Sequence, residues 1–321
     1  MRAIVQPRYG APGVLELEDI DKPPAKEGEV LVRVHAAGLN IADWHLLRGI
    51  PYVIRVVSGL RRPRQQVPGL DLAGQVEAVG AGVTQVGAGD EVFGWCKGAF
   101  AEYACVPENN LAPKPGNLTF EEAAAVGDSA FTALVGVRDQ GRVQAGHEVL
   151  INGASGGVGT FAVQIAKSFG ARVTGVCSTR NVDLVRSIGA DEVVDYTRDD
   201  FAQSGRRYDV MLDLIGNRPL SDCRRALTAR GTYVLVGVAD MGRWVGLARQ
   251  MKALSMSPFV GQKMRVFVTK HNAEDLAVLK DLVEDEKITP VIDRRYGLSE
   301  VAEALAYQGS GHVRGKVVIV V

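Results

Sequence analysis

Cysteine is scarce in this chain. Its four copies, Cys96, Cys105, Cys177 and Cys223, form no CxxC pair and are too scattered for a disulfide framework, so a reducing compartment is expected, with the cytoplasm as the location. Neither sign of charge is in surplus: Lys plus Arg and Asp plus Glu both number 37. With no global field to gather polyanions, no nucleic-acid partner is expected. No stretch approaches the ~18 uninterrupted apolar residues of a membrane span, and the opening MRAIVQPRYG has no apolar h-region. Neither secretion nor membrane insertion is therefore expected. Low-complexity tracts and solenoid-length repeats are missing too. What remains is 321 residues with 46% hydrophobic content, enough for a large core shared between two domains.

The first third alternates short β-rich runs with Gly and Pro punctuation: AIVQ, EVLVRVHAAG, DLAGQVEAVG, DEVFGW and AEYACV. That texture predicts a small all-β barrel or sandwich. It changes near Thr119, where Thr119 and Glu122 form a candidate capping box ahead of FEEAAAVGDSAFTALVGV. Apolar strands then alternate with amphipathic helices, through EVLING, QIAKSFG, RVTGVC, VDLVRSIG, EVVDY, YDVMLDLIG, CRRALTARG and TYVLVGV. This is the pattern of βαβ units and a parallel sheet covered on both faces. The expected class is α/β: a doubly wound domain over 123–262, a β-rich domain over 1–122, and a segment 263–321 that returns to the first domain.

The most informative turn is in VLINGASGGVGTFAVQIAKSFGARVTGVC. Gly153, Ala154, Ser155, Gly156, Gly157, Val158 and Gly159 lie between a strand and a helix, where a sharp turn and an approach of phosphate to bare backbone demand glycine. The helix N-terminus adds unpaired N–H groups and a positive dipole end. Ala154 stands where a strict GxGxxG has its first glycine, so dinucleotide binding is read from context, and a purely structural turn is the alternative. The next strand ends in Ser178-Thr179-Arg180, with no acid there to bind a ribose 2′-OH. Two hydroxyls and a guanidinium suit a 2′-phosphate, which points to NADPH, with Tyr196 flanking the phosphate or adenine. An N-cap followed by a solvated Arg is the plainer account of the same residues.

Together the β-rich start, GASGGVG and the closing HVRGKVVI resemble the medium-chain dehydrogenase/reductase superfamily over essentially the whole chain. AAGLNIADWHLLRG and PGLDLAGQVEAVGAGV are most similar to its zinc-free quinone oxidoreductase branch. The resemblance implies a GroES-like catalytic domain, a Rossmann domain, a cleft between them, and homodimers. Zinc-using members that resemble this chain carry a Cys at Asn40 and a His-Glu pair at Leu70-Asp71, with a third ligand at Asp128. Leu cannot coordinate, Asn is a poor zinc partner, and one carboxylate makes no site, so no metal is expected.

Asn40, Asp43 and Asp128 are then the candidate catalytic residues. Asn40 has an amide to polarise a carbonyl, Asp43 can orient it or a water, and Asp128 faces the nicotinamide if the resemblance holds. The alternatives are a turn shaped by Asn40 and Asp43 and helix N-terminal stabilisation by Asp128. The resemblance also implies cofactor contacts at Thr132, at a turn Val236-Gly237-Val238, at a strand Phe267-Val268, and at Lys316 beside the phosphates or ring. Five arginines between Arg48 and Arg64 make either a basic rim over the cleft or a solvated loop. The expected activity is NADPH-dependent hydride transfer to a quinone or a similar small electrophilic carbonyl. The alternatives are an enal or enone reductase and a non-catalytic NADPH-binding protein. An apolar stretch over 244–268 with a strand edge at MRVFVT predicts a homodimer, the alternative being a neighbouring helix that shields the edge.

Overall fold

One long strand organises the first sheet. Glu29–Leu39 exposes almost none of its residues, as a central strand paired along both edges requires. Along one edge it meets Asp71–Val79. Along the other, its first half pairs with Tyr103–Pro107 and its second half with Lys316–Val320. The sheet runs Ile292–Gly297, Lys316–Val320, Glu29–Leu39, Asp71–Val79, Glu91–Trp95, Leu111–Pro113. Val32, Leu72, Val92, Val106 and Ile319 are fully buried in the core on this sheet. Two registers position a cluster of polar side chains at its edge: Gly38 pairs with Asp71, and Leu39 with Val317. The chain leaves the sheet at the next residue, Asn40, flanked by Asp71 from one neighbouring strand and Lys316 from the other.

The computed structural model describes residues 1–237, 261–269 and 271–321. Two compact units emerge, one of residues 1–131, 270–286 and 290–321, the other of residues 132–269 and 287–289. Between the two runs of pattern, the Thr119 capping box forms in full. The Thr119 N–H donates to Glu122 Oε2 (2.9 Å) and the Glu122 N–H to Thr119 Oγ1 (3.2 Å), starting the helix Phe120–Leu134.

The second unit holds a six-stranded sheet ordered Glu192–Asp195, Arg172–Cys177, Glu148–Asn152, Tyr208–Asp213, Leu227–Leu235, Lys263–Val266, with every pair parallel. Numbered along the chain this is 3-2-1-4-5-6, the doubly wound order whose direction reverses between Glu148–Asn152 and Tyr208–Asp213. Ligands of such sheets bind beyond the carboxyl ends of the strands at that reversal.

Three expectations need correction here. Lys263–Val266, read as part of the returning segment, pairs with Thr232–Leu235 instead. Phe267 and Val268 follow this strand and are not part of it. The helix through CRRALTARG stops at Arg225, and its second half is already strand from Leu227, because that backbone pairs with Tyr208–Asp213. Val238 lies outside the described residues.

Candidate active site and cofactor cradle

In the first unit, the site is built around Asp71, a fully buried carboxylate. Gly127 interrupts the helix Phe120–Leu134 with φ 11° and ψ −131°. A Cβ there would sit 2.1 Å from Asp71 Cγ, so only glycine lets the carboxylate come this close. Past the break, the Asp128 N–H donates to both Asp71 oxygens at 2.9 and 3.0 Å. The Asn40 amide Nδ2 donates to Asp71 Oδ2 at 2.8 Å. Its Oδ1 accepts from Lys316 Nζ (2.5 Å) and from Ser129 Oγ (3.1 Å), while Lys316 also donates to Ser129 Oγ (3.0 Å). The ammonium lies 3.6 Å from Asp71 Oδ2, and both groups are withdrawn from solvent. Burial pushes the Asp71 carboxyl upward, and the Lys316 ammonium and the Asn40 and Asp128 N–H donors oppose it.

Asp43 serves the backbone. Its Oδ2 accepts the Asn40 N–H at 2.8 Å, closing the first turn of the helix Ile41–Arg48 from the N3 position. The Asn40 side chain is thereby not used as a cap and stays on Asp71 and Lys316. Asp43 Oδ1 is buried without a hydrogen-bond partner, and burial pushes this carboxyl up to about 8. Asp128 Oδ1 pairs with His271 Nε2 at 2.9 Å. The His271 ring stacks on Trp95 (centroids 5.0 Å) and tilts against Phe131 (4.5 Å). Nothing in the sequence singled out His271, Ser129 or the aromatic pair. Cys96 is no nucleophile, because burial raises its thiol well above the usual range and the Asp71 and Asp43 carboxyls add to this.

These groups do not suit zinc. Asn40 and Asp71 are already engaged by N–H donors, and the cation between them is the Lys316 ammonium. Leu70 supplies no donor, and among the described residues no group of three or more His, Cys, Asp or Glu is placed to hold a metal. Lys316, read from the sequence as a phosphate or ring contact, has its ammonium committed to Asn40 and Ser129 instead.

In the second unit, the glycine turn follows Glu148–Asn152 at the carboxyl edge of the reversal. Gly153 has φ +92°, which favours glycine. A Cβ on Gly159 would meet Gly153 O at 2.1 Å, so the helix Gly157–Ser168 can lie against the turn only with glycine there. Its first intrahelical bond is Thr160 N–H to Gly156 O (2.9 Å), which leaves the N–H groups of Gly157, Val158 and Gly159 ahead of the ladder. Ala154 is fully buried under the turn and Ser155 nearly so. Asn181 Nδ2 links Ser155 Oγ (2.9 Å) with Ser178 Oγ (3.4 Å), tying the turn to the end of Arg172–Cys177. Below, Asp213 accepts from Asn152 Nδ2 (2.8 Å), Tyr233 Oη (2.7 Å) and the Gly216 N–H (2.8 Å), fixing three strand ends. Bare backbone, helix N–H groups and small hydroxyls fit a dinucleotide pyrophosphate.

The end of Arg172–Cys177, where the sequence suggests a 2′-phosphate, carries a residue that the sequence pattern did not reveal. Thr179 Oγ1 donates to Asp195 Oδ2 at 2.6 Å, and Asp195, at the end of the neighbouring strand, also receives Thr197. Arg180 and Tyr196 are exposed beside it. Val236 and Gly237 continue from Leu227–Leu235, and both N–H groups bond to Asp213 O (3.0 and 3.3 Å). Thr132 is half-buried one turn beyond Asp128. Val268 is 89% exposed and Phe267 half-buried.

Residues 26–116 match the alcohol dehydrogenase GroES-like domain family and residues 188–319 the zinc-binding dehydrogenase family. The chain is 31% identical to the chloroplast envelope quinone oxidoreductase homolog of Arabidopsis thaliana, covering 99% of this chain and 98% of that protein. It belongs to the medium-chain dehydrogenase/reductase superfamily, in the quinone oxidoreductase branch. A second relative, the chloroplastic NADPH-dependent alkenal/one oxidoreductase of the same plant, is 33% identical over 99% of this chain and 79% of its own length. The solved quinone oxidoreductase of Coxiella burnetii superimposes with a TM-score of 0.86 at 30% identity, covering 100% of this chain and 99% of that one. The two units of this superfamily member are thus a GroES-like domain and a Rossmann-type domain.

Proposed function

We propose that this chain is a zinc-independent, NADPH-dependent oxidoreductase that reduces a quinone or a similar small electrophilic carbonyl compound. The observation that carries this reading is the Asn40 amide. Both ends of it are held by buried charges, and one Nδ2–H has no acceptor among the described residues. A fixed donor in a dry site stabilises the oxyanion that develops as hydride arrives at a carbonyl carbon, without reorganising at that moment. NADPH, held by the glycine turn and by Ser178, Thr179 and Arg180, supplies the hydride. Asp43 fixes the turn that presents Asn40, and Asp71 fixes the amide nitrogen. The Asp128–His271 pair offers a second polar contact beside Trp95 and Phe131. The positive electrostatic element of the site is an ammonium, so a Lewis-acid metal has no vacancy to fill.

Loss of NADPH absorbance with 9,10-phenanthrenequinone tests the reading. Turnover that survives chelation supports it, and tight NADPH binding with no turnover of quinone, enone or aldehyde overturns it. The name of the alkenal/one relative favours an enone as the second substrate class, and the same assay with an α,β-unsaturated ketone decides between them. Among the described residues no helix is long and apolar enough to cross a membrane. A reducing setting such as the cytoplasm is supported by four scattered cysteines with no CxxC pair, whereas the two plant relatives are named for the chloroplast. A homodimer is supported by Lys263–Val266, the edge strand of its sheet among the described residues, whose outer side pairing with a second copy would cover.

A further inference from the structure

A primary amide has two ends of nearly equal shape, and only its neighbours decide which way it faces. At Asn40 the neighbours leave no choice. The Lys316 ammonium can only donate and lies at Oδ1. The Asp71 carboxylate can only accept and lies at Nδ2. Ser129 bridges, receiving a hydrogen from Lys316 and passing its own to Oδ1. Reversing the amide would set its NH2 against an ammonium and its oxygen against a carboxylate, both repulsive in a buried site. Both Oδ1 lone pairs and one Nδ2–H are engaged, so the second Nδ2–H has one fixed direction. An ammonium on the amide oxygen also draws electron density from the nitrogen and strengthens that remaining N–H as a donor.

We propose that Lys316 is a positioning residue for the reduction, locking and polarising the Asn40 amide so that its free N–H meets the substrate oxygen. The inference rests on the hydride-transfer reading of the site. Lys316 itself, 1% exposed, does not touch the substrate. The competing account is that Lys316 only neutralises Asp71, 3.6 Å away. Lys316→Met alone does not separate the two, because it leaves a buried carboxylate without its counter-charge and lowers stability under either account. Adding Asp71→Asn removes that charge and leaves a neutral acceptor for Asn40 and for the Asp128 N–H.

Two measurements on the full chain decide. First, in protein carrying 15N-asparagine, the Asn40 side-chain pair, identified by its loss in Asn40→Ala, is expected as two well separated, slowly exchanging resonances. In Lys316→Met/Asp71→Asn they should move together and exchange faster than in Asp71→Asn alone, and resonances unchanged from Asp71→Asn overturn the proposal without reference to activity. Second, the double variant should regain the melting temperature lost in Lys316→Met. Its kcat for 9,10-phenanthrenequinone should stay roughly tenfold to a hundredfold below that of Asp71→Asn alone, which keeps the ammonium on Oδ1, the range for a weakened oxyanion donor, with NADPH affinity unchanged. Turnover restored along with stability means that Lys316 balances charge and nothing more. Wild-type protein that turns over no carbonyl substrate sinks the proposed function and leaves the resonances to judge the amide.

Discussion

Lys316 Nζ lies 2.5 Å from Asn40 Oδ1, although 276 positions separate the two residues in the chain. The contact arises from strand register: Leu39 pairs with Val317, so the residue after one faces the residue before the other. The chemistry of the site therefore depends on sheet alignment as much as on residue identity.

Asn40→Ala removes the candidate oxyanion donor and leaves the cradle in the other unit intact. The single-turnover rate of carbonyl reduction should fall by up to about a hundredfold. NADPH affinity, read by fluorescence titration, should not change. A full rate in this variant would show that the pocket works by holding the substrate alone.

Arg180→Ala should weaken NADPH by about one to two decades, the loss expected when one charge-assisted hydrogen bond to the 2′-phosphate is removed. NADH should bind as before. Asp195→Asn should act in the opposite direction and tighten NADPH, because a carboxylate 2.6 Å from Thr179 Oγ1 repels a phosphate dianion in the same corner. Calorimetry with both cofactors measures the ratio, and equal changes for NADH and NADPH would remove both residues from phosphate recognition.

Gly159→Ala places a Cβ 2.1 Å from Gly153 O, a backbone atom that has no rotamer to escape into. The helix must lift from the turn, and NADPH binding should be lost or reduced at least tenfold while the first unit keeps its fold. Gly156→Ala, whose Cβ would meet Gly153 O at an ordinary 3.6 Å, should be far milder. A Gly159→Ala protein with wild-type affinity would refute the cradle geometry.

Asp43 gives a stability signature. Its folded-state value is raised to about 8 against 3.8 for an unburied aspartate, so the folded protein holds a proton that the unfolded chain releases. Its contribution is fully present below about pH 4 and is lost as pH rises through about 8, at up to ~1.4 kcal/mol per pH unit. Asp43→Asn keeps an oxygen for the Asn40 N–H but does not titrate. Melting curves from pH 5 to 8 should fall more steeply for wild type than for the variant, and parallel curves would place the titration elsewhere.

Zinc content is the most direct check on the donor set. Elemental analysis of purified protein should find well under one zinc per chain, and chelator should leave turnover unaltered. Stoichiometric zinc dependent on Asp128 would mean that the ammonium had been displaced.

What the chain displays on its own divides by sequence distance. The glycine turn and the Thr119 capping box are each set by neighbours a few positions apart, and the residues alone reveal them, whereas the strand read through Ser178-Thr179-Arg180 stops at Cys177 and gives way to a 3-10 turn over Thr179–Asn181. Asn40 and Asp128 are visible as residues but not as partners, since Asp71 joins them only through strand pairing and the Gly127 break. Asp195 stays hidden because it comes from the adjacent strand, level with Cys177. His271 has no local pattern at all, and its role comes from stacking on Trp95 and Phe131. Lys316 is noticeable but points toward a phosphate, because sequence does not disclose that its strand lies beside Glu29–Leu39.

The same register sets an order of events in folding. Residues 40 and 316 bracket nearly the entire chain, so closing this contact carries a large loop-closure cost and belongs to the late, non-local steps. The βαβ turn, built from nearby residues, forms without waiting for it. During refolding, recovery of NADPH binding should therefore run ahead of recovery of turnover, with an interval in which the protein holds its reductant before it can use it.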